Sequence, residues 1–469
     1  MKRLLNSVKR SVCDFLYSAY SPRSGQESLQ GYRAPTDVAT KSGAALVYAD
    51  SPEALLKKGN MLKAAGRLHE ALECFDRAIA MNRDFVAAIN NRALVLQALN
   101  RPEESLEAFD EGLMVDPMSY KLLTNRGALL EVQCQYDEAL KQYAKAIEVQ
   151  PDLAKAHFNT GMCRLRLGQF ETGWQQYEWR WKCDDFPSKG RNYPRPLWLG
   201  TEDIAGKTVL LHAEQGLGDT IQFCRYATEV SRSGATVILA VQPPLISLVA
   251  NLPGVHKVLT YKELVPDFDF HCPLLSLPLA FKTRIGSIPT LVPYLHAPEA
   301  AIRSWTEKLG ALPLLSIGLA WSGNARHKRD HARSIALSKL LTAFDVPGTG
   351  LYSLQDEVRD SDSIALEGAK NMLHFGAELR DFSDTAALIS RLDLVITVDT
   401  AVAHLAGAMG KPTWILLAAH ADWRWMENRE DSPWYPSARL FRQRKPGDWD
   451  GVIHSVRHAL AGLTPTERH

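Results

Sequence analysis

The sequence has no charge of one dominant sign: 54 Lys and Arg stand against 53 Asp and Glu, a net charge of +1. Nothing global therefore marks nucleic acid as a partner. It also lacks any run approaching the roughly 18 apolar residues of a membrane-spanning helix. The first twenty residues, MKRLLNSVKRSVCDFLYSAY, are basic but without the continuous apolar core of a secretory signal. The seven cysteines (Cys13, Cys74, Cys134, Cys163, Cys183, Cys224 and Cys272) contain no C-x-x-C pair. Odd in number and scattered, they read as free or buried thiols of a reducing compartment, and the expected location is cytoplasmic.

With 46% hydrophobic and 23% charged residues over 469 positions, the composition is that of a globular chain with room for two or three domains. Residues 1–50 read as a poorly ordered extension and a Ser-, Gly-, Pro- and Thr-rich linker. An amphipathic helix making peripheral membrane contact through 1–20 is the alternative there. From 51 onward the chain repeats at a period of 34 residues. Gly59, Ala93, Gly127 and Gly161 hold a small-residue register. Phe75, Phe109, Tyr143 and Tyr177 hold an aromatic one, and Leu68, Pro102, Tyr136 and Phe170 mark the start of each second helix. Ala78, Gly112 and Ala146 form a further small register, which Arg180 breaks. Small residues let paired helices approach closely and aromatics fill the gaps. This pattern resembles tetratricopeptide repeats, four of them over 51–186, and implies a concave face suited to a peptide or partner protein. The last repeat, with Trp174, Tyr177, Trp179 and Trp181, is expected to pack on the domain next to it in the chain.

Three later stretches carry the chemistry. In 394–417, LVITVDTAVAHLAGAMGKPTWILL, the apolar 394–398 predicts a strand buried on both faces. The small residues of 401–409 predict a helix, which Gly410 and Pro412 end before a second buried strand at 413–417. Asp399, Thr400 and the leading amides of that helix converge at the carboxyl end of a parallel sheet, where open α/β folds bind ligands. His404 lies one turn further along the same face. The plainer reading is that Asp399 or Thr400 only caps the helix.

The strand 207–212, KTVLLH, is followed by Glu214, Gln215, Gly216, Leu217, Gly218 and Asp219, then by a helix over 220–230. A G-x-G lets the backbone turn tightly into a helix. Gln222 and Phe223 stand where a third glycine would complete a dinucleotide motif, and no acidic ribose ligand marks the end of the next strand, 237–241. This argues against a nicotinamide site. Here too the aspartate has a plain alternative, as a helix cap. Short strands at 257–260 and 269–272 complete a small domain.

The strand 314–321, LLSIGLAW, leads into the densest basic loop of the chain, with Asn324, Arg326, His327, Lys328, Arg329, His331 and Arg333. At a strand's carboxyl end such cations can offset the charge of a leaving phosphate. Solvated surface is the alternative. With no aromatic between Ser322 and Ser334, the loop does not read as a nucleic-acid binder. Gln355 ends the next strand, at the carboxyl end of the same sheet. Trp423, Arg424, Trp425 and Trp434 can stack on a base or sugar, or pack between domains.

The string D-T-x-x-x-H-x-A-x-A-x-G-x-P from Asp399 to Pro412 resembles the nucleotide-sugar segment of the bacterial lipopolysaccharide heptosyltransferase-like glycosyltransferases. The resemblance implies a GT-B pair of Rossmann-like domains, so the expected fold class is α + α/β, helical repeats followed by that pair. The expected divisions are 1–50 extension and linker, 51–186 repeats, 187–205 crossover, 206–300 acceptor domain and 301–469 donor domain. By resemblance Asp219 is the acceptor-facing catalytic base. Donor binding falls to Gly216, Gly218, Asn324, Arg326, Lys328, Arg333, Gln355, Asp399, Thr400 and His404, without choosing among the basic residues. The family's tail helix, here 452–460, crosses back to the first domain. The implied activity is inverting transfer of a hexosyl, heptosyl or N-acetylhexosaminyl group from a nucleotide-diphosphate sugar to a protein or glycan. No metal or other cofactor is expected, since Asp267-Phe268-Asp269 is the wrong D-x-D, placed ahead of a strand in the acceptor domain. The repeat-plus-transferase order is also similar to the protein O-linked N-acetylglucosamine transferases. The competing reading is an interaction module whose transferase fold is inactive or only senses nucleotide sugars.

Overall fold

A computed structural model describes residues 51–463 except 189, 191–192, 327–328 and 345–347. The basic extension, its linker, His327 and Lys328 lie outside the described residues. Contacts divide the chain into two units, Met1–Thr160 with Lys182–Phe186, and Gly161–Trp181 with Pro187–His469.

The first unit is built of helical hairpins: α1 (Pro52–Ala64) with α2 (Leu68–Met81), α3 (Val86–Ala98) with α4 (Pro102–Val115), and α5 (Tyr120–Val132) with α6 (Tyr136–Val149). α7 (Ala154–Arg166) begins a fourth. The second helices start where the registers mark them. Ser51 caps α1 with its hydroxyl on the Ala54 amide, and Pro52 and Pro102 occupy first turns, where no amide partner is needed. The small register has a steric cause. A Cβ on Gly59 would meet the Phe75 ring at 2.5 Å, and one on Gly127 the Tyr143 ring at 2.6 Å. Arg92–Asp76 and Arg126–Asp110, both 2.8 Å, repeat one ion pair a period apart.

The second unit takes in the end of α7, α8 (Phe170–Tyr177) and two parallel sheets. One sheet has the order β3-β2-β1-β4, from β1 (Thr208–His212), β2 (Thr236–Val241), β3 (Val255–Thr260) and β4 (Phe270–Pro273). The other runs β10-β9-β8-β5-β6-β7, from β5 (Leu315–Ala320), β6 (Thr349–Ser353), β7 (Met372–Leu373), β8 (Leu394–Val398), β9 (Thr413–Leu417) and β10 (Ala438–Arg442). Every residue of β8 and β9 is buried, as continuous apolar runs require of inner parallel strands. The chain reverses its direction of travel across each sheet beside β1 and between β5 and β8. Those are the switch points at which such sheets form crevices.

Two expectations change. The helix expected over 220–230 is two, α9 (Leu217–Phe223) and α10 (Tyr226–Arg232). They part at Arg225, whose buried guanidinium donates to the Trp434 carbonyl at 2.9 Å and to the Tyr294 hydroxyl at 3.0 Å. The tail helix (Trp449–Ala461) does not turn its apolar side to the first sheet. Val452, Ile453, Val456 and Leu460 join Ile317 and Leu319 in the core beneath the second.

Candidate functional site

Later helices of the second unit include α11 (Glu299–Leu309), α12 (Asp360–Gly368), α13 (Phe382–Ser390) and α14 (Ala401–Ala408), the last of which begins at the site. The turn after β1 and the turn after β8 bring α9 and α14 together at their amino ends. Gly218 lies so close to the second helix that an added Cβ would meet His404 Cδ2 at 2.7 Å and the Ala401 Cα at 3.4 Å. Gly216, Gly218, Asp219, Asp399, Thr400 and His404 are thus gathered at one place. The two stretches that supply them are about 180 residues apart in a chain whose parallel sheets end there.

Asp219 is held by both oxygens. Oδ2 accepts from the Gly216 amide at 2.7 Å, the helix-capping role that residue type allows, and Oδ1 pairs with Arg424 Nη2. The side chain keeps 18% exposure. Burial pushes its carboxyl above the ordinary range against the pull of Arg424. Arg424 in turn donates to Gln222 Oε1 at 2.7 Å and to Asp422 Oδ1 at 2.8 Å, with its plane 4.4 Å from the Trp423 ring. Burial opposes its charge, but Asp422 and Asp219 more than restore it and the guanidinium is held above its usual value.

Across the site, burial and the Asp422 carboxylate raise Asp399 to about 6, opposed by the Trp425 indole, Arg333 and Arg424. Trp425 Nε1 has no partner within hydrogen-bond geometry, so its help to Asp399 is that of a nearby N–H dipole. Arg333 Nη1 donates to the Asp399 carbonyl at 3.0 Å, tying the basic loop to the turn after β8. Thr400 is the N-cap residue of α14, yet its hydroxyl pairs with Thr397 Oγ1 at 3.2 Å and does not cap. The leading amides of α14 are left without a side-chain cap, the arrangement in which helix starts receive anions. His404 Nδ1 hydrogen-bonds with the Tyr435 hydroxyl at 2.9 Å, and its ring stacks on Trp425 at 5.2 Å. Burial, with Arg424 nearby, lowers it to about 3, so it is a neutral imidazole at physiological pH.

Asn324, Arg326 and Gln355 have their partners outside this group. Asn324 and Arg326 are exposed, and the Asn324 side chain only accepts from the Arg326 amide, a local turn. Gln355 is a brace: Oε1 accepts from the Ser322 amide at 3.1 Å and Nε2 donates to the Glu357 carbonyl at 3.3 Å. Trp423, Trp425 and Trp434 are at most 1% exposed. Trp423 and Trp434 pack on Phe223 and on α8, with Trp174 at 5.2 Å from Trp423 and Phe170 at 6.0 Å from Trp434, while Trp425 packs on His404 and Tyr435. Packing, the second of the two readings given for them, is what these rings do. Sequence reasoning missed Asp422 and Tyr435, and it saw Arg424 only as a stacking plane. Acidic and basic partners set far apart in sequence leave no local signal. Among the described residues, no three His, Cys, Asp or Glu side chains gather as a metal site.

Residues 56–117 and 125–175 match the family model for the tetratricopeptide repeat, and 378–447 match that for glycosyltransferase family 9 (heptosyltransferase). The chain thus matches the repeat family over the first stretches and the heptosyltransferase family over the last, and that last stretch holds Asp399, Thr400, His404, Asp422 and Arg424. Among curated proteins it is similar to Protein FlbA of Caulobacter vibrioides, 28% identical over 335 residues, 66% of this chain and 55% of that protein. It spans about half the length of that relative. Solved structures similar to it include MamA (15% identity, TM-score 0.27, 29% of this chain and 80% of that one). Another is YrrB, described as a tetratricopeptide protein with an unusual peptide-binding site (20% identity, TM-score 0.26, 30% and 74%).

Proposed function

We propose that the second unit is a glycosyltransferase of GT-B type. It binds a nucleotide-diphosphate sugar at the carboxyl ends of its sheets and transfers the sugar, with inversion and without a metal ion, to a hydroxyl of a protein or glycan. The observation that carries this reading is the meeting of the α9 and α14 amino ends, which sets one carboxylate opposite uncapped amides and the Arg333 cation. In the proposed reaction Asp219 takes the proton of the acceptor hydroxyl. That oxygen bonds to the anomeric carbon as the bond from this carbon to the diphosphate oxygen breaks, and the electron pair leaves with the diphosphate. Its growing charge is met by the leading amides of α14 and by Arg333, fixed in place before the reaction begins. The raised affinity of Asp219 for protons suits a base, since a stronger base removes the hydroxyl proton more readily.

A peptide or protein on the repeats belongs to the same proposal. Asparagines of successive first helices bond side chain to side chain, Asn91 to Asn60 at 2.9 Å and Asn125 to Asn90 at 2.8 Å, a row of amides able to read a backbone.

The test is Asp219→Asn, which keeps an oxygen for the Gly216 amide and removes the base. Turnover is expected to fall by about a hundredfold or more, with donor affinity within about twofold. Normal turnover would remove Asp219 from the role. Donor binding by a wild type that never turns over would favour the sensing alternative.

A further inference from the structure

The turn carrying Asp219 is gripped by the end of the last helical hairpin, which belongs to the same unit. In the first three repeats the position ahead of each closing turn is small, and Ala78, Gly112 and Ala146 are buried there. The fourth repeat has Arg180, fully buried as well. A long cation has no use in helix packing that three small residues serve elsewhere, and its charge finds its partner on the β1–α9 turn.

Arg180 Nη2 donates to both Glu214 oxygens at 3.1 Å and to Ser276 Oγ at 2.7 Å. Its Nη1 donates to Glu178 Oε1 at 2.5 Å, and Ser276 returns a bond to Glu178 at 2.9 Å. The guanidinium is sandwiched between the Tyr177 and Trp181 rings at 4.6 and 4.5 Å. One residue past Glu214, Gln215 Nε2 donates to the Tyr177 hydroxyl at 2.8 Å. The next residue, Gly216, supplies the amide that holds Asp219. Residues 177–180 therefore fix two consecutive side chains of a turn whose third residue orients the carboxylate.

Buried ion pairs of this kind seldom add net stability, because taking both charges out of water cancels most of their attraction. What they do impose is a single geometry. Reactions that depend on a near-attack arrangement lose rate when a group is misplaced by an ångström or so.

We propose that Tyr177 and Arg180 of the terminal repeat are positioning residues for the transferase site, setting the β1–α9 turn so that Asp219 meets the acceptor. The inference rests on the transferase reading for its kinetic consequence, but its structural half stands alone.

The experiment uses the full chain with Tyr177→Phe and Arg180→Lys. In Tyr177→Phe a single oxygen is lost and the ring remains. Amide exchange over 213–219 is expected to quicken by about fivefold, the loss of one hydrogen bond's worth of protection. Amides of β5 and β8 should be unchanged. With nucleotide-sugar donor and acceptor, kcat should fall by more than the small loss of stability accounts for, while donor Kd holds. Arg180→Lys should have the larger effect, since an ammonium cannot make the forked contact. Should the lysine variant fail to fold, the tyrosine variant decides the matter. Wild-type exchange across 213–219 in folded Tyr177→Phe overturns the proposal, and so does a kcat that drops only in step with stability. If the wild type binds no nucleotide sugar, the transferase reading fails, and the exchange result still decides whether the repeat sets the turn.

Discussion

At the residue scale the site is a set of charges held off their solution values by burial. His404 makes this measurable. Unfolded, its imidazole takes a proton near 6.5; folded, only near 3. Between those values the unfolded chain binds more protons, so the contribution to stability is full above pH 6.5 and is lost as pH falls toward 3. Burial lowers His420 in the same direction. Asp399 has the opposite sign. Raised from 3.8 to about 6, it favours the folded state below 3.8 and loses that effect as pH rises through 6. Burial raises Glu214 to about 7 with the same sign as Asp399, so the histidine's share is read by comparing two proteins. From pH 5 to pH 7 the calorimetric melting temperature of the wild type is expected to change more in the stabilising direction than that of His404→Gln, since only the wild type carries the lowered imidazole. An equal pH dependence in the two would mean that His404 is protonated in the fold. The histidine's place one turn along the helix face from Thr400 was legible in the sequence. Its partners Tyr435 and Trp425 were not, since nothing in a chain of isolated aromatics says which ring a turn of helix will meet.

At the scale of elements, local pattern carried furthest where both faces of a strand are buried. The runs at 394–398 and 413–417 are strands with those bounds, because continuous apolar sequence between polar turns has few other ways to fold. The repeat registers were equally legible, Gly59 lying under Phe75 and Gly127 under Tyr143. Pattern failed at 220–230, where apolar continuity hid the break that a buried Arg225 imposes through the distant Trp434 carbonyl. It was silent too on Arg424 and Asp219, which are 205 residues apart. The close approach of α9 to α14 gives a prediction at this scale. In Gly218→Ala the new Cβ would press on a His404 ring already pinned by Tyr435 and Trp425, which cannot give way. A loss of about 1–3 kcal/mol is expected by denaturant unfolding, the usual cost of overpacking. Donor binding should weaken with it. Wild-type stability would show that the two helix starts do not meet in solution.

At the scale of the whole molecule, the repeat pattern ends at 186, whereas contacts divide the chain after Thr160 and assign Gly161–Trp181 to the second unit. The reason is the aromatic side of α8. Phe170, Trp174 and Tyr177 are each 2% exposed through packing on Trp423, Trp434 and their neighbours, so the last hairpin belongs structurally to the sheets. The sequence pointed to this allegiance, since Arg180 in place of a small residue and the aromatic run Trp174, Tyr177, Trp179 and Trp181 set the last hairpin apart from the other three. The central claim is that this unit holds a nucleotide-diphosphate sugar between the α9 and α14 starts. It is tested most directly by titrating the purified protein with UDP-, GDP-, ADP- and CMP-linked sugars in a calorimeter, with and without EDTA. Selective binding to one nucleotide, undiminished by EDTA and weakened in Arg333→Ala, is the predicted result. A folded sample that binds none of them would contradict the account.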